Sequence, residues 1–208
     1  MRIGIDFDNT IVCYDPVFHI AACEKKLIPE PIPATKEAVR DHLREIDRED
    51  DWTELQGYIY GTRMELAKPF PGIFDFLKQT INRGIDVFII SHKTQFPYRG
   101  PQYDLPAAAR SWLETNGVFD PEGIGLSVDR AFFEPTKELK LERIGALGCT
   151  HFIDDLPEFL AEPGFPPDTT KILFEPGAER PVATPVHRAK SWADITNFLF
   201  GPNAGDTP

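Results

Sequence analysis

The sequence is short of positive charge, of cysteine and of long apolar runs. Its 22 Lys and Arg face 33 Asp and Glu, a formal net charge of −11. A protein that grips a nucleic-acid backbone presents a basic field, so that class of partner is disfavoured. Three cysteines, Cys13, Cys23 and Cys149, cannot all pair and lack ligand-like spacing, which argues against a disulfide framework or a thiolate metal centre. No apolar stretch approaches the roughly 18–20 residues of a membrane span. The first apolar strand begins at Arg2 and runs straight into acidic residues, unlike a secretory signal. The expectation is a cytoplasmic protein with no membrane or nucleic-acid partner. Internal repeats and low-complexity tracts are also missing.

What is present is enough for a core. At 41% hydrophobic, with 16 Phe, the chain can bury an aromatic-rich interior, and 20 Pro imply many sharply turned connections. Arg2-Ile3-Gly4-Ile5 reads as a short strand ending in Asp6-Phe7-Asp8. Asp15-Pro16 has the pattern of a helix N-cap followed by proline. Residues 14–68 show helical spacing and no convincing strand: Val39, Leu43 and Ile46 form one stripe, and a helix is expected over 52–67. After Pro69-Phe70-Pro71-Gly72 a helix is expected to close at Asn82-Arg83-Gly84.

Residues 86–91 form an apolar run of strand length, suited to a strand buried on both faces. A polar and aromatic loop, 92–104, follows, then a helix over 105–116. Residues 123–128 are a weaker strand candidate. A helix over 138–147, strands over 151–155 and 170–174, and a terminal helix over 191–200 complete the pattern. Alternating strands and helices predict an α/β fold: a Rossmann-like, mostly parallel sheet flanked by helices, with a small helical insertion after the first strand. The expected division is a sheet core of 1–13 and 69–200, a helical cap of 14–68, and a frayed tail of 201–208.

In such sheets ligands bind beyond the carboxyl ends of the strands. Three strands here end in polar groups: Asp6 to Thr10, Ser91 to Thr94, and Asp154-Asp155. Carboxylates at a strand end are costly unless solvated, paired or bound to a cation. Two acidic ends and one hydroxyl end on a single rim point to a hard cation with a phosphate beside it.

Asp6-Phe7-Asp8-Asn9-Thr10 resembles the Asp-x-Asp-x-Thr signature of the haloacid dehalogenase-like (HAD) hydrolases. Ser91 after an apolar strand is similar to that superfamily's second motif, and Asp154-Asp155 after Phe152-Ile153 to its fourth. The resemblance implies a Mg²⁺-dependent phosphomonoester phosphatase acting on a small phosphorylated metabolite. In that reading Asp6 is the nucleophile that forms an aspartyl-phosphate. Asp8 is the acid and base for the leaving group and water, and Thr10, Ser91 and His92 lie on the phosphate. Asp6, Asp8 (through its main-chain oxygen), Asp154 and Asp155 are the implied metal set. Asp155 could instead cap the Leu156-Pro157 turn, and His92 could be structural. The implied phosphate-stabilising lysine is Lys140, fourteen residues before Asp154, with Lys137 as the alternative. The insertion between the first and second motifs corresponds to a C1 cap. Alternatives are a phosphotransferase or mutase of the same superfamily, or a non-catalytic phosphate-binding regulatory module. Haloacid dehalogenation is disfavoured, because releasing a halide needs no acid at Asp8.

Overall fold

The computed structural model describes residues 1–29, 31–177 and 179–201, which divide into two compact units. The first comprises Met1–Ile11, Pro69–His92 and the chain from Gly117 onward. It contains six strands in the order β5-β4-β1-β6-β7-β8: β1 (Arg2–Ile5), β4 (Asp86–His92), β5 (Ala131–Glu134), β6 (His151–Asp154), β7 (Thr170–Phe174) and β8 (His187–Ala189). Every adjacent pair is parallel. The helices α4 (Ile73–Asn82), α6 (Lys137–Ala146), α7 (Pro157–Leu160) and α8 (Trp192–Phe200) belong to this unit.

Alternation along the strands buries both sheet faces. Phe88, Ile90, Phe152 and Leu173 join Ile144, Phe159 and Phe165 in one cluster. Between them in sequence, Val87, Ile89, Ile153 and Ile172 are buried too. The Trp192 ring packs against Phe76 and Phe174, with centroids 5.0 and 5.5 Å apart. A parallel strand covered on both faces must read as a near-continuous apolar run, as 86–91 does.

The second unit comprises Val12–Lys68 and Lys93–Asn116. It contains α1 (Asp15–Glu24), α2 (Lys36–Glu45), α3 (Glu49–Thr62) and α5 (Leu105–Thr115). A two-stranded ribbon of β2 (Val12–Cys13) and β3 (Lys68–Pro69) lies where the chain enters and leaves it. Tyr14, Phe18, Trp52 and Tyr60 form an aromatic cluster at its centre. The sequence pattern places 93–116 with the sheet, but contacts group it with the helices. A Cβ on Gly57 would stand 2.6 Å from Pro97 Cβ, and one on Gly61 would stand 2.3 Å from Tyr103 Cβ. Two glycines one turn apart thus let the 93–104 loop lie directly on α3.

Three local expectations change. The run 123–128 is a glycine turn rather than a strand: Gly125 has φ +79°, and a Cβ on Gly123 would meet the Gly117 carbonyl oxygen at 2.4 Å. The strand is displaced to Ala131–Glu134. The helix expected over 52–67 starts at Glu49 and breaks at Thr62, with one 3₁₀ turn at Met64–Leu66. Tyr14 is the N-cap of α1, and the Asp15 carboxylate instead accepts from the Lys36 amide at 2.9 Å. β8 has no apolar run and was not foreseeable from periodicity. Apart from Gly201, the expected tail lies outside the described residues.

Candidate active site

Strand order decides where a ligand fits. The chain runs β1, β4, β5 to one side and β6, β7, β8 to the other, so the topological switch lies between β1 and β6. Crevices form beyond the carboxyl ends at such a point. Asp6 directly follows β1 and Asp154 ends β6, so both flank it. The Asp6 amide donates to the Ile153 carbonyl at 2.9 Å, which ties the two strand ends together.

Alternation turns Phe7 into the core, where it meets Phe133 edge-on at 5.5 Å, and leaves Asp6 and Asp8 on the opposite side. Asn9 then adopts φ +56°, a conformation that asparagine tolerates better than most residues. The turn closes with the Ile11 amide on the Phe7 carbonyl at 3.0 Å. Trp192 Nε1 donates to the Thr10 carbonyl at 3.2 Å and pins the end of this loop from α8.

Asp6 Oδ1 accepts two bonds, from Ser91 Oγ at 2.9 Å and from Lys140 Nζ at 2.6 Å. The same ammonium lies 2.6 Å from Asp154 Oδ2. All four residues are buried. Lys140 Nζ also sits 4.0 Å from the centroid of Phe159. Burial opposes the charge on Lys140, but Asp154 and Asp6 together outweigh it, and its pKa is raised. Lys137, at the first position of α6, is only half-buried and makes neither bond. Geometry therefore brings Lys140 to the carboxylates.

The carboxylates of Asp6, Asp154 and Asp155 each offer an oxygen within 4.8 Å of the others. Three carboxylates against one ammonium leave two negative charges, and oxygen donors suit a hard divalent cation such as Mg²⁺. Burial pushes the Asp154 carboxyl up to about 7; Lys140 pulls the other way, and Asp6 adds to the rise. Such a site favours whatever cation relieves it. The Asp8 side chain lies outside the cluster. Asp154 Oδ1 accepts from the Leu156 amide at 2.9 Å, so Asp154, not Asp155, caps that turn.

Thr10 Oγ1 is fully buried and has no hydrogen-bond partner among the described residues. An orphaned buried hydroxyl costs about 1–3 kcal/mol, a cost that a bound oxyanion would remove. The His92 ring hydrogen-bonds the Pro135 carbonyl; burial nevertheless lowers its pKa. That bond makes it a tie between β4 and the turn before α6. Sequence patterning missed Glu175, a buried carboxylate just past β7, although Glu175-Pro176-Gly177 shows the same apolar-strand-then-acid signal as the other rim positions.

These elements form a doubly wound parallel α/β sheet with an acidic, lysine-bridged crevice at its topological switch. No family model and no curated protein matches the sequence. Solved structures do match the fold, and it is that of the HAD-superfamily hydrolases. A HAD family hydrolase from Deinococcus radiodurans R1, solved with bound phosphate and sodium, aligns at TM-score 0.58 and 13% identity over 95% of this chain and 94% of its own. The HAD hydrolase YfnB from Bacillus subtilis, bound to magnesium, aligns at 0.56 and 16% over 96% and 98%. A predicted phosphoglycolate phosphatase from Haemophilus somnus 129PT aligns at 0.55 and 14% over 95% and 97%. A dehalogenase shares the fold at 0.52 and 13% over 95% and 96%, so fold alone does not choose the chemistry.

Proposed function

We propose that this chain is a Mg²⁺-dependent phosphatase of small phosphorylated metabolites, working through an aspartyl-phosphate on Asp6. The observation that carries the reading is the position of Asp6: at the switch crevice, fixed through Oδ1 by Ser91 and Lys140, beside Asp154 and Asp155. Two bonds on Oδ1 set the rotation of the carboxylate and direct Oδ2 away from them. A carboxylate needs no base to be nucleophilic at neutral pH.

The Asp6 carboxylate attacks phosphorus in line with the leaving oxygen, and Asp8 gives that oxygen a proton. Asp8 then takes a proton from the water that attacks the same phosphorus, which releases phosphate and restores Asp6. Lys140 holds Asp6 in place and offsets charge on the phosphoryl group, and the Thr10 and Ser91 hydroxyls receive its oxygens. Asp6, Asp154 and Asp155, with the Asp8 main-chain oxygen, would hold Mg²⁺, which when bound would offset the charge of the transferring group. His92 supports the β4 end. Substrate choice falls to the helical insertion, which serves as a C1-type cap.

The test is release of inorganic phosphate from p-nitrophenyl phosphate and a panel of phosphorylated metabolites. Turnover is expected with Mg²⁺ and is lost with chelator or in Asp6→Asn. An Asp6→Asn variant that retains full turnover overturns the mechanism. Phosphate appearing on an added acceptor rather than in solution would favour a phosphotransferase. Halide release from haloacids would favour a dehalogenase, in which Asp8 has no role.

A further inference from the structure

Asp155 is the most exposed of the three carboxylates and stands one residue beyond the end of β6. Its orientation therefore depends on the peptide that follows it. That one peptide group, between Asp155 and Leu156, is gripped from both sides. Its N–H donates to Asp154 Oδ1 at 2.9 Å, and its C=O accepts from Arg180 Nη2 at 2.6 Å.

Arg180 is itself built in. Its Nε and main-chain N–H both donate to Glu175 Oε1, at 3.2 and 2.8 Å. Arg188, from the edge strand β8, donates to Glu175 Oε2 and, through Nη2, to the Arg180 carbonyl at 2.7 Å. Glu175 is anchored in turn by its amide on the Ala189 carbonyl at 2.8 Å. Its side chain is only 3% exposed. The Arg180 and Arg188 side chains stay 37% and 34% exposed, so solvent screens the pairing and it adds little stability. What it supplies is geometry: a fixed fork aimed at one carbonyl oxygen.

We propose that Glu175 and Arg180 are positioning residues for the metal site, holding the Asp155–Leu156 peptide so that the Asp155 carboxylate faces Asp6 and Asp154. The inference rests on the Mg²⁺-dependent reading above. Partners behind a metal ligand commonly govern affinity by about 10- to 100-fold. The direction is informative. Removing a cation near a cation site would strengthen Mg²⁺ binding if only charge mattered, whereas loss of positioning weakens it.

The experiment is Mg²⁺ titration of the metal-free full chain by calorimetry and by Mg²⁺-induced shift in Tm, for the unaltered protein, Arg180→Lys, Arg180→Met and Glu175→Gln. The Lys variant keeps the charge and the stem, which guards against a variant that merely fails to fold. Mg²⁺ Kd is expected to rise about 10-fold or more in all three. In turnover assays the Mg²⁺ requirement rises by the same factor, and kcat recovers at saturating Mg²⁺. Unchanged or tighter Mg²⁺ binding, with Tm lowered equally with and without the ion, overturns the positioning role alone. An unaltered protein that binds no Mg²⁺ overturns both this inference and the proposed function beneath it.

Discussion

Lys140 reaches Asp154 across 14 residues of sequence, its Nζ 2.6 Å from Oδ2, and makes a second bond of equal length to Asp6. Both carboxylates depend on this one buried ammonium. Lys140→Met keeps much of the stem that packs near Phe159 but leaves two buried anions without their cation. Removing one partner of a buried pair costs about 3–5 kcal/mol. Urea unfolding without metal should show a loss of that order, and added Mg²⁺ should recover part of it. A loss under about 1 kcal/mol would mean that water or protonation already satisfies the carboxylates.

Thr10 makes the opposite case. Its hydroxyl is buried with no hydrogen-bond partner among the described residues, so replacing it with an isosteric methyl removes a penalty rather than a bond. Thr10→Val is expected to leave stability in phosphate-free buffer unchanged or raised by up to about 1 kcal/mol. The same variant should bind inorganic phosphate more weakly, read as a higher inhibition constant. Equal phosphate inhibition in both proteins would take Thr10 out of the site.

Gly61 tests why the 93–104 loop belongs with the helices. Alanine in place of a helical glycine normally stabilises by up to about 1 kcal/mol, and by less in a last turn such as that of Gly61. Here its Cβ would stand 2.3 Å from Tyr103 Cβ, an atom tied to the backbone that cannot swing aside. Overpacking of this kind costs about 1–3 kcal/mol. Gly61→Ala should therefore lower stability by about 1–2 kcal/mol, the reverse of the propensity scale. Thermal unfolding decides the sign.

The thiols should differ in reactivity. Burial pushes the Cys149 thiol up to about 11, with a smaller opposing effect from Arg2. The thiolate is the reactive form, so a rise of this size makes alkylation at pH 8 about 100-fold slower than for an ordinary thiol, before access is considered. Brief iodoacetamide treatment followed by peptide mass mapping should find Cys149 unmodified in the native protein and modified after denaturation. Rapid native labelling of Cys149 would show that this part of the core opens.

Much of the site was legible along the chain. Asp6, Ser91 and Asp154 could be read because each ends an apolar run, and in a parallel sheet those ends share one rim. The lysine could be narrowed only to two. Lys137 and Lys140 lie on neighbouring faces of one helix, and the Thr136 N-cap, accepting from the Leu139 amide, sets which face meets the sheet. The 123–128 run differs from the expected strand, and the choice between cap and ligand at Asp155 stayed open, because a cap and a glycine turn are matters of φ and ψ that composition leaves open. The 93–116 segment was placed with the sheet for want of any visible cue that two glycines on α3 would receive it.

The sequence by itself determined the strand ends and the acidic rim, since periodicity and the cost of an unpaired carboxylate are local physics. Only the tertiary structure decided that β1 and β6 flank the switch crevice, that Lys140 bridges Asp6 and Asp154, and that Glu175 and Arg180 stand behind Asp155. Those facts depend on which strands lie side by side, and strand order is a property of the packed sheet that no single stretch of chain encodes.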